Sequence, residues 1–229
     1  MYKKHKLAII IPALNEEEAL PSVLQDIPDF VDMVLVIDNG STDNTSWVAK
    51  KNNAIVYRED RKGYGWACLK GMAHLSDEDI VIFLDGDYSD HPDELSAVIQ
   101  PILHGNADMV IGSRVLGERE PGALTPQARF GNWLSCLLIK WFWGYQFTDL
   151  GPFRAILRST LEQLRMKDQN YGWTVEMQIK AAQQKIPVQE VPVKYRKRIG
   201  KSKVSGTFKG VIFAGTKILW TIFRAAYFK

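Results

Sequence analysis

At 229 residues the chain is long enough to close one large core without disulfide or metal staples. Its 46% apolar and 24% charged residues exclude a disordered or fibrous chain. A net charge of +3 gives no ground for a nucleic-acid partner, and two cysteines, Cys68 and Cys136, without metal or redox spacing exclude a disulfide framework.

The chain opens with a basic Met-Tyr-Lys-Lys-His-Lys stretch. The apolar run behind it, Leu7 to Ala13, is too short for a signal peptide or a spanning helix, so a cytoplasmic start is expected. Leu7–Ile11 reads as a strand buried on both faces, and Asn15 as the cap of a helix opening on Glu16, Glu17 and Glu18. Met33–Ile37 is a second strand, ending in Asp38-Asn39-Gly40-Ser41-Thr42-Asp43, and Asn53–Tyr57 is a third. Gly63-Tyr64-Gly65 lacks the third glycine and the leading strand of a dinucleotide fingerprint, and reads instead as a tight loop opening a helix. Ile80–Leu84 is a fourth strand, running into Asp85-Gly86-Asp87, and Asp108–Ile111 a fifth. Beyond them come a loop over Pro121–Pro126, an apolar helix over Asn132–Trp143, a strand over Thr148–Ala155 and a helix over Tyr171–Ala182. Pro187–Tyr195 alternates like an edge strand, and Phe208–Phe228 is a long apolar helix. Strands alternating with helices mean an α/β fold with a mainly parallel sheet, in one domain over residues 1–207 followed by a helical tail at 208–229.

Ligands of open α/β sheets bind beyond the carboxyl ends of the strands. Three strands here end in polar clusters that emerge on one edge, each also readable as a capped turn. Asp85 and Asp87, flanking Gly86, form a pair able to share a hard divalent ion, Mg²⁺ or Mn²⁺, on a nucleotide diphosphate.

Ile-Pro-Ala-Leu-Asn-Glu-Glu, Ile-Asp-Asn-Gly-Ser-Thr-Asp, Gly63-Tyr64-Gly65 with Ala67 and Gly71, and Leu-Asp-Gly-Asp together resemble family 2 glycosyltransferases of the GT-A fold. The branch they are most similar to makes polyprenyl-phosphate mannose or glucose. The resemblance continues through Gly112-Ser113-Arg114, Thr148-Asp149-Leu150-Gly151-Pro152-Phe153-Arg154, Glu176 and Gly200-Lys201-Ser202-Lys203. It implies an inverting, metal-dependent transfer of a hexose from a UDP- or GDP-linked donor. Pro12, Asn15, Glu16 and Asp38 are then expected at the nucleobase and ribose, Gly63 and Gly86 beside the donor, and Asp85 and Asp87 at the diphosphate and metal. Arg114 and Arg129 match arginines that hold an acceptor phosphate. Arg196, Lys201 and Lys203 match a basic loop that folds over the donor. The sequence departs from the branch at Ser89, where a Gln is common, which leaves a third metal ligand unassigned, and at Gly151-Pro152-Phe153-Arg154.

A lipid-phosphate acceptor needs no strong base, whereas a hydroxyl acceptor needs a carboxylate, for which Asp149 and Glu176 are the candidates. Six of the 29 Lys and Arg fall within residues 194–203, a lid over the donor or a solvated face. In Phe208–Phe228, Phe213, Trp220 and Tyr227 lie on the side of Lys209, Lys217 and Arg224, as in a helix at a membrane surface. Packing on the sheet and a homo-oligomer interface are the alternatives, and a peripheral place on the cytoplasmic face of a membrane is the expectation. A sugar-1-phosphate nucleotidyltransferase would carry a glycine-rich loop where Pro-Ala-Leu-Asn-Glu-Glu stands. A member that binds nucleotide-sugar without turnover is the remaining rival.

Overall fold

The computed structural model describes residues 2–200 and 208–227. Seven strands form one sheet in the order β3-β2-β1-β4-β6-β5-β7. β1 (Leu7–Ala13), β2 (Met33–Asp38), β3 (Ile55–Arg58) and β4 (Ile80–Phe83) run parallel, as do β5 (Met109–Ser113) and β7 (Val188–Pro192). β6 (Arg154–Leu157) lies between β4 and β5, antiparallel to both.

Both faces of the sheet are covered, and side chains alternate between two apolar layers. Ile10, Leu35, Ile37, Val81 and Phe83 point into one layer, closed by α3 (Tyr64–Met72), α5 (Pro126–Trp143), α6 (Arg158–Leu164), α7 (Trp173–Gln183) and α8 (Phe208–Tyr227). Ile9, Ile11, Val36, Ile80 and Ile82 point into the other, under α1 (Leu20–Gln25), α2 (Thr45–Lys51) and α4 (Leu95–Leu103). α8 joins the first layer through the fully buried Ile222, while Phe223 and Tyr227 meet the Phe142 ring edge-on at 5.9 and 5.8 Å.

Three expected elements are displaced, each for a local reason. Asn15 does not cap a helix: its φ of +52° turns the chain, Glu16 and Glu17 donate their amides to Thr45 and Asp43, and the helix starts at Leu20. Thr148–Phe153 is a loop, because Glu190 accepts from the amides of Thr148 and Asp149 while Asn132 accepts from Leu150; the strand begins only at Arg154. α5 begins six residues before Asn132, with Pro126 in its first turn and Thr125 accepting from the Ala128 amide at 3.2 Å. Its first turns are polar, so the apolar pattern shows only the latter part of the helix.

Candidate active site

The strand register brings Ala13 beside Asp38 and Ile10 beside Phe83, so the loops after β1, β2 and β4 leave the sheet together. The first two are tied to each other. The Asn15 amide donates to Ser41 Oγ at 2.9 Å, Asn15 Oδ1 accepts from the Thr42 amide at 2.8 Å, and the Glu16 amide donates to Thr45 Oγ1 at 2.8 Å. Asp38 is buried and accepts from the Ser41 amide and the Ser46 hydroxyl. Burial opposes its ionisation, yet these hydrogen bonds and Arg58 hold the carboxyl below its ordinary value. Pro12, Asn15, Glu16 and Asp38 are therefore brought to one edge, as the sequence suggests.

Asn39 organises the next stretch. Its amide nitrogen donates to the carbonyls of Glu59 and Arg61, and its oxygen accepts from the Gly63 amide at 2.9 Å. Gly63 has a φ of +146°, and a β-carbon there would stand 2.2 Å from the Gln169 carbonyl. One on Gly65 would stand 2.1 Å from the Asp168 carbonyl. The two glycines thus let residues 168–170 lie against the start of α3, where the Tyr64 hydroxyl is buried beside Asp85.

The acids after β4 form the electrostatic centre. Asp87 Oδ1 accepts from the Ser89 amide at 2.9 Å and from the Ser89 hydroxyl, and Gly86 packs against Ile11 of β1. Asp90, which the sequence reading missed, is buried five residues after Asp85 and accepts from the Asp85 amide through Oδ2 at 3.4 Å. Burial and then the charge of Asp87 push the Asp85 carboxyl up to about 7. Burial and the charges of Asp85 and Asp87 carry Asp90 well above its ordinary range. Asp85 Oδ1 and Asp90 Oδ1 are buried without a hydrogen-bond partner among the described residues. Crowded carboxylates with open acceptor atoms suit a hard divalent cation, so the donor set fits one. No three acidic, His or Cys side chains yet converge as a ligand sphere among the described residues.

Arg114, after β5, grips the fully buried Asp149: Nε to Oδ2 at 2.8 Å and Nη2 to Oδ1 at 2.7 Å. Burial works against both charges, but the pair raises Arg114 well above its ordinary value and holds Asp149 below its own. Two of the five guanidinium N–H groups are used here. Arg154 lies beneath the same loop, buried, donating to the carbonyls of Leu150, Gly151 and Thr174 and pushed down to about 10 by burial.

Both acids expected as candidate bases are engaged by neighbouring groups. Asp149 is enclosed and paired with Arg114, whereas Glu176 accepts from the amides of Lys167 and Asp168 and pairs with Lys180 at 2.8 Å. Glu176 thereby supports the 167–170 segment that packs on Gly63 and Gly65.

Arg129 stands apart from Arg114, exposed on α5. It lines a groove of about 660 Å³ with Arg119, Lys140, Phe130, Trp133, Leu137 and Thr148. Thr148 Oγ1 lies 2.7 Å from Ser113 Oγ, and each of these residues precedes a member of the Arg114–Asp149 pair.

The basic segment after β7 crosses this edge as a strap. The Arg196 amide donates to the Ser89 carbonyl at 3.0 Å and the Ile199 amide to the Asp87 carbonyl at 2.9 Å. Arg196 stacks on Tyr88 at 3.4 Å and reaches Asp26. It is Arg198, not singled out from the sequence, that meets the carboxylates, Asp87 and Glu16, each at 3.0 Å. Lys201 and Lys203 lie outside the described residues.

The sequence profile described as "Glycosyl transferase family 2" matches residues 8–165. The chain belongs to this family of glycosyltransferases. It is 36% identical over 211 residues to an uncharacterised glycosyltransferase of Mycobacterium tuberculosis, covering 91% of this chain and 94% of that one. An undecaprenyl-phosphate mannosyltransferase of Micrococcus luteus is 30% identical over 224 residues, 90% of either chain. The fold is also that of the glucosyl-3-phosphoglycerate synthase of Mycobacterium tuberculosis, solved with Mn²⁺, UDP-glucose and phosphoglyceric acid; the TM-score is 0.76 at 23% identity, over 97% of this chain and 80% of that one. The GT-A architecture expected from the sequence is thus the one this glycosyltransferase has, a mainly parallel sheet flanked by helices.

Proposed function

We propose that this glycosyltransferase moves a hexose from a UDP- or GDP-linked donor, with inversion, to a polyprenyl phosphate at a membrane surface. The observation that carries the reading is the groove, whose lining combines rings and aliphatic side chains with Arg119, Arg129 and Lys140, and includes Thr148, which contacts Ser113 beside the Arg114–Asp149 pair. An acceptor with an anionic head and a long apolar chain matches that combination of surfaces. The Micrococcus luteus relative, by its name, acts on an acceptor of this class.

Pro12, Asn15, Glu16 and Asp38 would receive the nucleoside, with Gly63 and Gly86 giving the donor room. Asp85 and Asp87, with Asp90 beside them, would hold Mg²⁺ or Mn²⁺, which when bound neutralises charge on the diphosphate leaving group. The solved structure with Mn²⁺ and UDP-glucose supports such a site. Arg114, fixed on one side by Asp149, would turn its remaining N–H groups to the acceptor phosphate and aim it at the sugar from the face opposite the diphosphate. A phosphate monoester loses its second proton near pH ~6, so its oxygen attacks already ionised and no base is needed. The engagement of Asp149 and Glu176 agrees with that route and disfavours a hydroxyl acceptor.

Membrane contact would come from the same side. Trp133, Trp141, Phe213 and Trp220 are exposed on α5 and α8, with Lys140 and Arg224 exposed on the same helices. No helix among the described residues is long and apolar enough to cross a membrane. The test separates the two substrates: Arg129→Gln with Trp133→Ser is expected to raise KM for polyprenyl phosphate about tenfold while nucleotide affinity holds, consistent with ~1.4 kcal/mol of lost contact. An unchanged KM removes the groove from the acceptor path.

A further inference from the structure

Asp87 has no free oxygen. Oδ1 accepts from Ser89, and Oδ2 pairs with Arg198 Nη1 at 3.0 Å. The other terminal nitrogen of Arg198 reaches Glu16 Oε1 at 3.0 Å, so one guanidinium bridges acids from the loops after β1 and β4. The strap sets it there through the hydrogen bonds that join Ile199 to Asp87 and Arg196 to Ser89. Asp85 Oδ1 and Asp90 Oδ1, the neighbouring acceptors, have no hydrogen-bond partner among the described residues.

We infer that Arg198 is an exchangeable cation, which occupies Asp87 and Glu16 until a divalent metal ion and a nucleoside diphosphate arrive together and then transfers to the diphosphate. The inference rests on the metal site described above. Guanidinium and metal compete for the same lone pairs of Asp87, so a metal ion binding alone has to displace Arg198. A guanidinium displaced without an anion would lose both ion pairs and gain none, and its Nε is already buried with no hydrogen-bond partner among the described residues. A diphosphate offers it two anionic oxygens in the fork geometry that arginine favours. Displacement is then easy only when both ligands bind, and by linkage each raises affinity for the other by the same factor.

Arg196 has a different task. Its ring-stacking on Tyr88 and its Nη2 contacts to Asp26 Oδ2 at 3.2 Å and the Asp90 carbonyl at 3.0 Å anchor the strap. They also hold Tyr88, at a φ of +63°, in a conformation that a bulky residue rarely adopts.

The test is Mn²⁺ binding, read by electron paramagnetic resonance of the free ion, with and without UDP or GDP. In Arg198→Gln, nucleotide-free Mn²⁺ affinity is expected to rise about tenfold over wild type, and the enhancement by nucleotide to shrink by a similar factor. Arg198→Lys keeps the charge but cannot bridge two acids; a smaller gain is expected, and it decides the matter if the glutamine variant does not fold. Arg196→Gln is expected to melt at lower temperature without the gain in metal affinity. Equal nucleotide-free affinity in wild type and both Arg198 variants, with wild type still binding Mn²⁺ beside nucleotide, overturns the exchange and leaves the metal site standing. An equal gain in Arg196→Gln and Arg198→Gln also overturns it, because loosening the strap is then enough. No Mn²⁺ binding by any protein, with or without nucleotide, overturns the metal site and the exchange together.

Discussion

Around Asp38 and Asp85 each loop is fastened to the next by side-chain hydrogen bonds, whereas the groove along α5 is walled by rings such as Trp133 that stay more than half exposed. The difference matches the two ligands proposed above. A nucleotide and a metal ion need polar atoms at fixed positions, and prepaid loop order lowers the cost of binding them. A flexible apolar chain needs area and accessible rings more than fixed geometry, and a surface that faces lipid needs not be enclosed.

Substitutions on the two sides should therefore fail in different ways. The largest effect is expected from Arg114→Ala, which leaves Asp149 charged, buried and unpaired. A loss of about 3–5 kcal/mol in denaturant unfolding is expected, and a loss near zero would mean that Asp149 finds another partner. Gly65→Ala comes next. Its new methyl would meet the Asp168 carbonyl, so residues 168–170 must shift, at roughly 1–3 kcal/mol by the usual cost of overpacking. Donor affinity should fall with it, since the start of α3 beside Asp85 moves.

A third effect is set by pH. Asp85 faces Asp87, Tyr64, Arg114 and Arg198, and its folded carboxyl titrates at about 7 against an ordinary value of 3.8. The folded state holds the proton longer than the unfolded one, so this group's contribution to stability falls as pH rises between those values. In the proposed metal site, binding needs the Asp85 proton gone. Mn²⁺ affinity should climb about tenfold per pH unit below 7 and level off above it. A flat profile from pH 5 to 8 would show that Asp85 is already ionised. The smallest effect on stability belongs to the other region: Trp141→Ser with Trp220→Ser is expected to leave the melting temperature unchanged, because both rings are mainly exposed, yet to cut flotation with anionic liposomes about tenfold. Unchanged flotation would remove α5 and α8 from membrane contact.

The same contrast governs what the sequence reveals. Buried strands and the turns after them are continuous in the chain, so Leu7–Ile11, Met33–Ile37 and Ile80–Leu84 could be placed from residue type alone, with Asp38, Asp85 and Asp87 at their ends. The exchange of Asn15 from helix cap to left-handed turn was hidden, because its cause is Ser41 and Thr42 in another loop. Thr148–Phe153 was readable as a loop from Asp149, Gly151 and Pro152, residues that strands avoid, but that Glu190 and Asn132 claim its amides was not. Arg198 was visible only as one charge in a run of six; that it meets Asp87 while Arg196 turns to Tyr88 depends on the path of the strap. Asp149 and Glu176 are legible in the sequence as carboxylates near the site, but not what engages them. Their partners, Arg114 and the 167–168 amides, are set by tertiary contact.

The most direct test is the product of the reaction. Enzyme, Mn²⁺ and a panel of UDP- and GDP-hexoses are incubated with polyprenyl phosphate in anionic vesicles, and in parallel with 3-phosphoglycerate and with free glycans. Metal-dependent transfer of one hexose onto the lipid phosphate, lost in Asp87→Ala, is the outcome expected. Transfer of the hexose to a water-soluble acceptor, with none appearing on the lipid, would contradict it.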